Sequence, residues 1–304
     1  MVARIGRPGA CAVLVASVAV GLAGPTASAQ ELRVAYVHVM NLAGQPVADL
    51  TQDEFVVEES GRDARVVTVR NGFDPMEIAL LVDNGDAMSA GRAVNPLRDA
   101  VAGFLEALPP QHAVGLFTIG GQVRRLLDFT TDRQELVEAG RGIFTDQAGG
   151  VRFVDAVRET LDRRYDGDEA WPVFVALLSD GPESSAFMNE RRQLRFLNEL
   201  RAAGVMIHVV QWSAAGRNRP DSATSYALNL TRNTGGHYRS VAVATGMVDA
   251  MAALGADIGA HYEEMASRYV VVYESPDPSG RRFRVRVTRP AVGVRAYPDR
   301  SMPQ

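Results

Sequence analysis

Short apolar runs alternate with amphipathic stretches through the middle of this chain, and strictly alternating stretches flank them at both ends. Ile78 to Val82, Ala113 to Phe117, Val173 to Leu178 and Val205 to Val210 are continuous apolar runs, as expected of strands covered on both faces. Val123 to Phe129 predicts a further strand, and Gly235 to Arg239 a short one after a turn. Between them the period changes to that of a helix. Leu97, Val101, Phe104, Leu105 and Leu108 share one face of a helix expected to begin at Pro96, with Asn95 as its cap. Phe153, Val154, Val157 and Leu161 mark a second helix. Leu194, Leu197 and Leu200 mark a third, which Gly204 ends. Residues 223–231 and 246–265 read as two more. Strands alternating with helices predict an α/β fold, a doubly wound and mostly parallel sheet, over residues 75–267.

The ends are different. Leu32 to Val39 alternates apolar and polar side chains like a half-buried strand. Leu42 to Val47 reads as a turn. Phe55 to Glu58 and Ala64 to Val69 predict two strands with Gly61 in the turn between them. Near the other end, Tyr269 to Tyr273 and Phe283 to Val287 predict strands about a hairpin-like turn at Pro276 to Gly280. Neither β segment is large enough to bury a core alone. Residues 31–74 and 268–298 are therefore expected to meet as one small β module. The tail after Tyr297 is expected to be loose.

The 304 residues suit one large domain or two modest ones. A hydrophobic content of 46% is enough for a real core. The net charge of -4 offers no basic patch of the kind nucleic acids require. All 32 basic residues are arginine, so arginine is the only strong counter-ion for a buried carboxylate. Residues 1–29 read as a secretory signal peptide: Arg4 and Arg7, an apolar stretch from Ala10 to Leu22, then Ala27-Ser28-Ala29 before Gln30. That stretch is shorter than the ~20 residues a membrane span needs. The expected product is exported, periplasmic or secreted, with no stable membrane span in the mature chain. The single cysteine, Cys11, lies inside the leader, so no disulfide, thiol nucleophile or cysteine metal site is expected.

The loop Asp83-Asn84-Gly85-Asp86-Ala87-Met88-Ser89 follows the first apolar strand, where open α/β sheets place their ligand sites. Together with Leu108-Pro109-Pro110, Val114 to Thr118, Phe129 to Arg133 and Leu177-Leu178-Ser179-Asp180-Gly181, it resembles the von Willebrand factor type A family. The segment Gly44 to Phe55 and the C-terminal β region resemble an exported bacterial branch of that family. The resemblance implies a metal-ion-dependent adhesion site with a D-x-S-x-S loop, a threonine and a third-loop aspartate around Mg²⁺ or Mn²⁺. Such an ion takes six hard oxygens in near-octahedral array.

Here Asp83 and Asp180 keep the two aspartates. Gly85 and Ala87 replace the serines, and Val151, after Gly149-Gly150, replaces the threonine. Three ligand positions thus lack a side-chain oxygen, and no metal or other cofactor is expected. The rival arrangement is a rearranged Mg, Mn or Ca site at Asp83, Asp86 and Asp180, helped by Ser89 or Glu183. Without an ion, Asp83 and Asp180 would repel each other. Arg152, then Arg92, are the arginines expected to neutralise them.

Other chemistry finds less support. His261-Tyr262-Glu263-Glu264 lacks the second histidine of a zinc hydrolase helix and is expected at the surface. His208 is expected in the core, His112 in an exposed turn, and His237 outside any site. Ser184-Ser185 has no G-x-S-x-G elbow, so no catalytic residue is expected. Ile119-Gly120-Gly121-Gln122 lacks the spacing of a nucleotide loop. Asp162, Asp166, Asp168 and Glu169 read as a solvated acidic loop, and Asn229-Leu230-Thr231 as an incidental glycosylation pattern. The expected function is non-enzymatic: an interaction or adhesion module holding an unknown protein partner. Its binding edge would comprise Asp83, Asn84, Asp86, Ser89, Arg152, Asp180 and Glu183, aided by the edge strands of the β module.

Overall fold

The computed structural model describes residues 31–73, 75–90, 92–146, 149–165, 171–186, 190–213, 223–277 and 282–302. The signal-peptide segment, Asp74, the acidic residues Asp166, Asp168 and Glu169, and the Pro278–Gly280 part of the expected turn lie outside them.

A six-stranded sheet forms the centre. Its strands are β5 (Met76–Val82), β6 (Ala113–Thr118), β7 (Arg124–Thr130), β8 (Trp171–Ser179), β9 (Met206–Trp212) and β10 (Tyr238–Val241), in the order β10-β9-β8-β5-β6-β7. All neighbours run parallel except the β6–β7 pair. Alternate residues of β5 serve opposite faces. Ile78, Leu80 and Val82 join the core under α2 (Val94–Ala107), α3 (Arg133–Arg141) and α7 (Gly246–Ala266). Ala79 and Leu81 join the core under α4 (Phe153–Arg164), α5 (Glu190–Ala202) and α6 (Ala223–Thr234). Every residue of β8 is buried, which is why its run of apolar side chains is unbroken. Each fully buried large aliphatic side chain stabilises by roughly 1.5–3 kcal/mol.

The remaining strands come from both ends of the chain. β1 (Leu32–Asn41), β4 (Val66–Asn71), β11 (Tyr269–Glu274) and β13 (Val292–Tyr297) form an antiparallel sheet in the order β13-β1-β11-β4. β2 (Phe55–Glu59), β3 (Arg62–Ala64) and β12 (Phe283–Val287) form a second, in the order β12-β2-β3. Ala35, Val37, Val39, Phe55, Val57 and Val271 are among the side chains that fill the core they share.

Four expectations are corrected. The run from Ala64 to Val69 is not one strand: it breaks at Arg65, and its halves enter different sheets. β11 and β12 likewise lie in different sheets, so the turn between them closes no hairpin. α2 begins at Val94 with Ala93 before it, and no side chain caps it. The C-terminal tail is not loose, because Met302 is buried in the main core.

Candidate functional site

Three loops converge at the C-terminal edge of the parallel strands, and backbone hydrogen bonds tie them together. The first follows β5. Asp83 is fully buried, and three donors serve its carboxylate: the Gly85 N–H on Oδ1 (2.9 Å), and the Ser179 N–H (2.9 Å) and hydroxyl on Oδ2. Burial pushes the Asp83 carboxyl up, Asp180 pushes it further, and these three hydrogen bonds hold it down. Asn84 is spent as a clamp: Oδ1 accepts the Gly120 N–H (2.9 Å) and Nδ2 donates to the Phe144 carbonyl (2.7 Å).

The second loop carries Val151, whose N–H donates to the Pro182 carbonyl and whose carbonyl accepts the Ser184 N–H. The third follows β8. Asp180 is 4% exposed, and its Oδ2 has no hydrogen-bond partner. Asp86 is exposed in the first turn of the short helix α1 (Asp86–Ala90), and Ser89 is half-buried on it. Between the loops lies a cleft of about 100 Å³ with Asp83, Gly85, Asp86, Ala87, Val151 and Gly181 in its walls.

Residues 78–183, which span all three loops, match the family model described as von Willebrand factor type A domain. Over these residues the chain has a von Willebrand factor type A-like α/β fold. Among solved structures, it is similar to a von Willebrand factor type A protein from Catenulispora acidiphila, at 11% identity and a TM-score of 0.51. That match covers 76% of this chain and 51% of the other, so this chain spans about half the length of that relative. BatB from Bacteroides thetaiotaomicron is similar at 12% identity and a TM-score of 0.46, over 63% of this chain and 98% of that one. The von Willebrand factor domain of the pilus tip protein Mfa5 from Porphyromonas gingivalis is similar at 10% identity and 0.48, over 62% and 96%. No curated protein matches.

The donor set at this edge does not fit a six-oxygen divalent ion. Both oxygens of Asp83 already accept hydrogen bonds from protein donors. The Val151 side chain is buried beside the position a Cβ on Gly181 would take. A Cβ on Gly85 would lie 3.0 Å from the Gly149 carbonyl oxygen and 3.1 Å from Asp83 Oδ1, so a serine there would crowd both. No group of three histidine, cysteine or acidic side chains is placed to hold a metal among the described residues.

The expected arginine compensation is also corrected. Arg152 donates to the Gly121 carbonyl (2.7 Å) and pairs with Asp155 (3.1 Å), not with Asp83 or Asp180. Arg92 is exposed on the turn after α1. Asp83 is held by Ser179 instead, a residue with no role expected from the sequence. Asp155 was missed as well. It is buried and binds both Arg152 and Arg158, and the spacing Arg152-x-x-Asp155-x-x-Arg158 was legible as one helix face.

Glu183 sits at the start of α4, facing the N–H groups of Phe153 and Val154 and accepting the Ser185 N–H (3.1 Å). Burial nevertheless pushes its carboxyl up to about 7. Ser185 Oγ accepts the Asp155 N–H, and Ser184 is exposed. His112 is buried, not exposed: its Nδ1 accepts the Met76 N–H, and burial with Arg133 nearby pushes it down to about 4. His261 is buried too, bonded through Nε2 to the Arg300 carbonyl. His208 lies in the core as expected, pushed down to about 3 by burial, and accepts the N–H of His237.

Proposed function

We propose that this chain is an exported, non-enzymatic interaction or adhesion module. It holds a protein partner through the C-terminal edge of its parallel sheet, without a bound divalent metal. One observation carries the reading: exposed side chains there stand on backbone that is fixed from below. Phe144 is 75% exposed, yet the carbonyls of Ile143 and Phe144 are pinned by Arg98 and Asn84. An exposed aromatic held without loss of loop entropy is the kind of group that anchors an interface. Asp86 and Ser184 are exposed on the neighbouring loops. Asp83 and Asn84 support this edge from inside and do not contact the partner. Export is proposed from the pattern of residues 1–29. No helix among the described residues is long and apolar enough to cross a membrane.

The test is capture of partners from the native cell envelope, with chelator and without. A Phe144→Ala, Asp86→Asn chain should lose partners that the parent retains in both conditions. Equal capture by the variant would sink the reading.

Metal-dependent adhesion through a rearranged site is the second reading, and the unpartnered Asp180 Oδ2 favours it. Calorimetry with Mg²⁺, Mn²⁺ and Ca²⁺ decides. A micromolar site abolished by Asp83→Ala would establish it in place of the metal-free one.

A further inference from the structure

Three histidines meet where the last residues of the chain cross the α/β part. His261 lies on α7, His208 on β9 and His237 just before β10, and His208 feels the charge of both others. The tautomer of His261 follows from its partner. A carbonyl only accepts, so the Nε2 bonded to the Arg300 carbonyl (2.8 Å) carries the hydrogen and Nδ1 is bare. That Nδ1 is buried without a partner, in a residue 5% exposed. Protonation would place a second N–H there with nothing to accept it. Burial accordingly pushes the ring below its ordinary value, and the Arg300 carbonyl and Glu264 hold it up only in part.

The charged and titratable groups that face the ring offer a new cation little. They are Glu264 on α7, Arg268 after it, His237 before β10 and His208 on β9. Glu264 is the one acid among them, and it already pairs with Arg268. Arg300 adds a guanidinium that lies among the rings of Tyr36, Phe73 and Trp171, with Nη1 buried and unpartnered.

Two segments from elsewhere in the chain touch the ring: β8 through Trp171, and residues 299–302 through Arg300. β8 is hydrogen-bonded to a strand on each side. Residues 299–302 belong to no helix or strand. They are held by the His261 bond, by the Arg300 Nε on the Tyr36 hydroxyl of β1, by the Met302 N–H on the Gly235 carbonyl (3.1 Å), and by Ser301 packed where a Cβ on Gly235 would stand. They are the part of the surroundings that gives way most easily, and through Tyr36 they tie the β module to the α/β part.

We propose that His261 is an acid-sensitive latch: charging its ring releases residues 299–302 and frees the β module from this hold. Once the segment lifts, the ring reaches water and returns to its ordinary value of about 6.5. The open form then binds the proton more tightly than the closed one, so acid favours opening. The closed form has its full advantage above about 6.5 and loses it as pH falls toward the lower folded value. One coupled proton changes the opening equilibrium by up to about tenfold per pH unit. The latch does not depend on what the sheet edge binds.

Hydrogen exchange of the Met302 N–H, corrected for the intrinsic effect of pH, reads the segment, and the ¹³C signal of His261 Cε1 reads the proton. In the full chain, protection of Met302 should be level above about 6.5 and fall by up to about tenfold per pH unit below it. His261→Gln offers an N–H to the Arg300 carbonyl but takes up no proton, so its Met302 protection should stay level over the same range. The chain lacking residues 299–304 gives the reciprocal reading and decides the matter even if the glutamine variant does not fold. Its His261 should titrate at higher pH than in the full chain, near 6.5. Three results would overturn the proposal: level Met302 protection in the full chain, an equal fall in His261→Gln, or a His261 that titrates alike with and without residues 299–304.

Discussion

Asp83 shows how much a single position can and cannot reveal. Its place after an apolar strand puts it at the C-terminal edge of the sheet from sequence alone, and the structure agrees. Its partner was not legible. A search for a balancing charge leads to arginine, but a neutral neighbour, Ser179, supplies two of the three hydrogen bonds through its N–H and hydroxyl. A hydroxyl beside a buried carboxylate leaves no pattern in a sequence, because serine is common and its rotamer is set by packing.

Glu183 carries a second message at this scale. Burial lifts its carboxyl from 4.5 to about 7 despite the N–H groups around it. A raised folded value means the protonated form is favoured by the fold. The resulting stability is fully present below about 4.5 and is lost as pH rises through about 7. Glu183→Gln mimics the neutral form. Measured against the parent, its melting temperature should gain steadily between those pH values and level off above them. A difference that stays flat across this window would show that Glu183 is not held in the buried state described.

At the scale of elements, strands and helices followed from periodicity, because two-sided burial of β8 and one-sided burial of α2 leave opposite patterns. Boundaries did not follow. Val94 begins α2 without a capping side chain, since the chain there is already fixed by the Leu97 N–H on the Ala93 carbonyl (2.8 Å) and the Ala93 N–H on the Met88 carbonyl (2.9 Å). The break at Arg65 was hidden because the strand alternation continues through it while the chain changes sheet.

The loops depend on cross-links no periodicity encodes, and Asn84 is the clearest of them. Its amide joins the loop after β6 to the loop after α3, and its own carbonyl accepts the Asp146 N–H (2.7 Å). Asn84→Ala would leave the Gly120 N–H and the Phe144 carbonyl without their partner, a loss of roughly 2 kcal/mol for groups that lie inside. Hydrogen exchange should quicken at Gly120 and Asp146 ahead of the central strands. Protection unchanged at both would mean the three loops do not act as one platform.

At the scale of the molecule, the two ends of the chain are joined twice, once predictably and once not. The shared β module could be inferred because neither segment could bury its own apolar face, and β1 indeed lies between β13 and β11. The tail beyond Tyr297 could not. Its residues hold a single large apolar side chain, Met302, and carry no period, while the groups that hold it are scattered along the chain. The Arg300 guanidinium lies 5.2 Å from the ring centre of Trp171, 5.5 Å from that of Tyr36 and 5.6 Å from that of Phe73. Its Nε donates to the Tyr36 hydroxyl (2.9 Å), and its carbonyl is bonded to His261. Met302 then enters the main core and donates its N–H to the Gly235 carbonyl (3.1 Å). Tyr36 belongs to the β module, and Trp171, Gly235 and His261 belong to the α/β part, so this short strap ties one to the other. Burying one methionine and seating one guanidinium among aromatic rings together stabilise by roughly 3 kcal/mol. Deleting residues 299–304 should therefore lower the melting temperature by about 5 °C for a chain of this size. It should also let the β module lose its hydrogen-exchange protection before the central sheet does. Arg300→Lys, which keeps the charge but not the plane, should cost less than the deletion. A deleted chain that melts like the parent, with both parts still opening together, would show that the shared β strands alone hold the two halves and that the strap adds nothing.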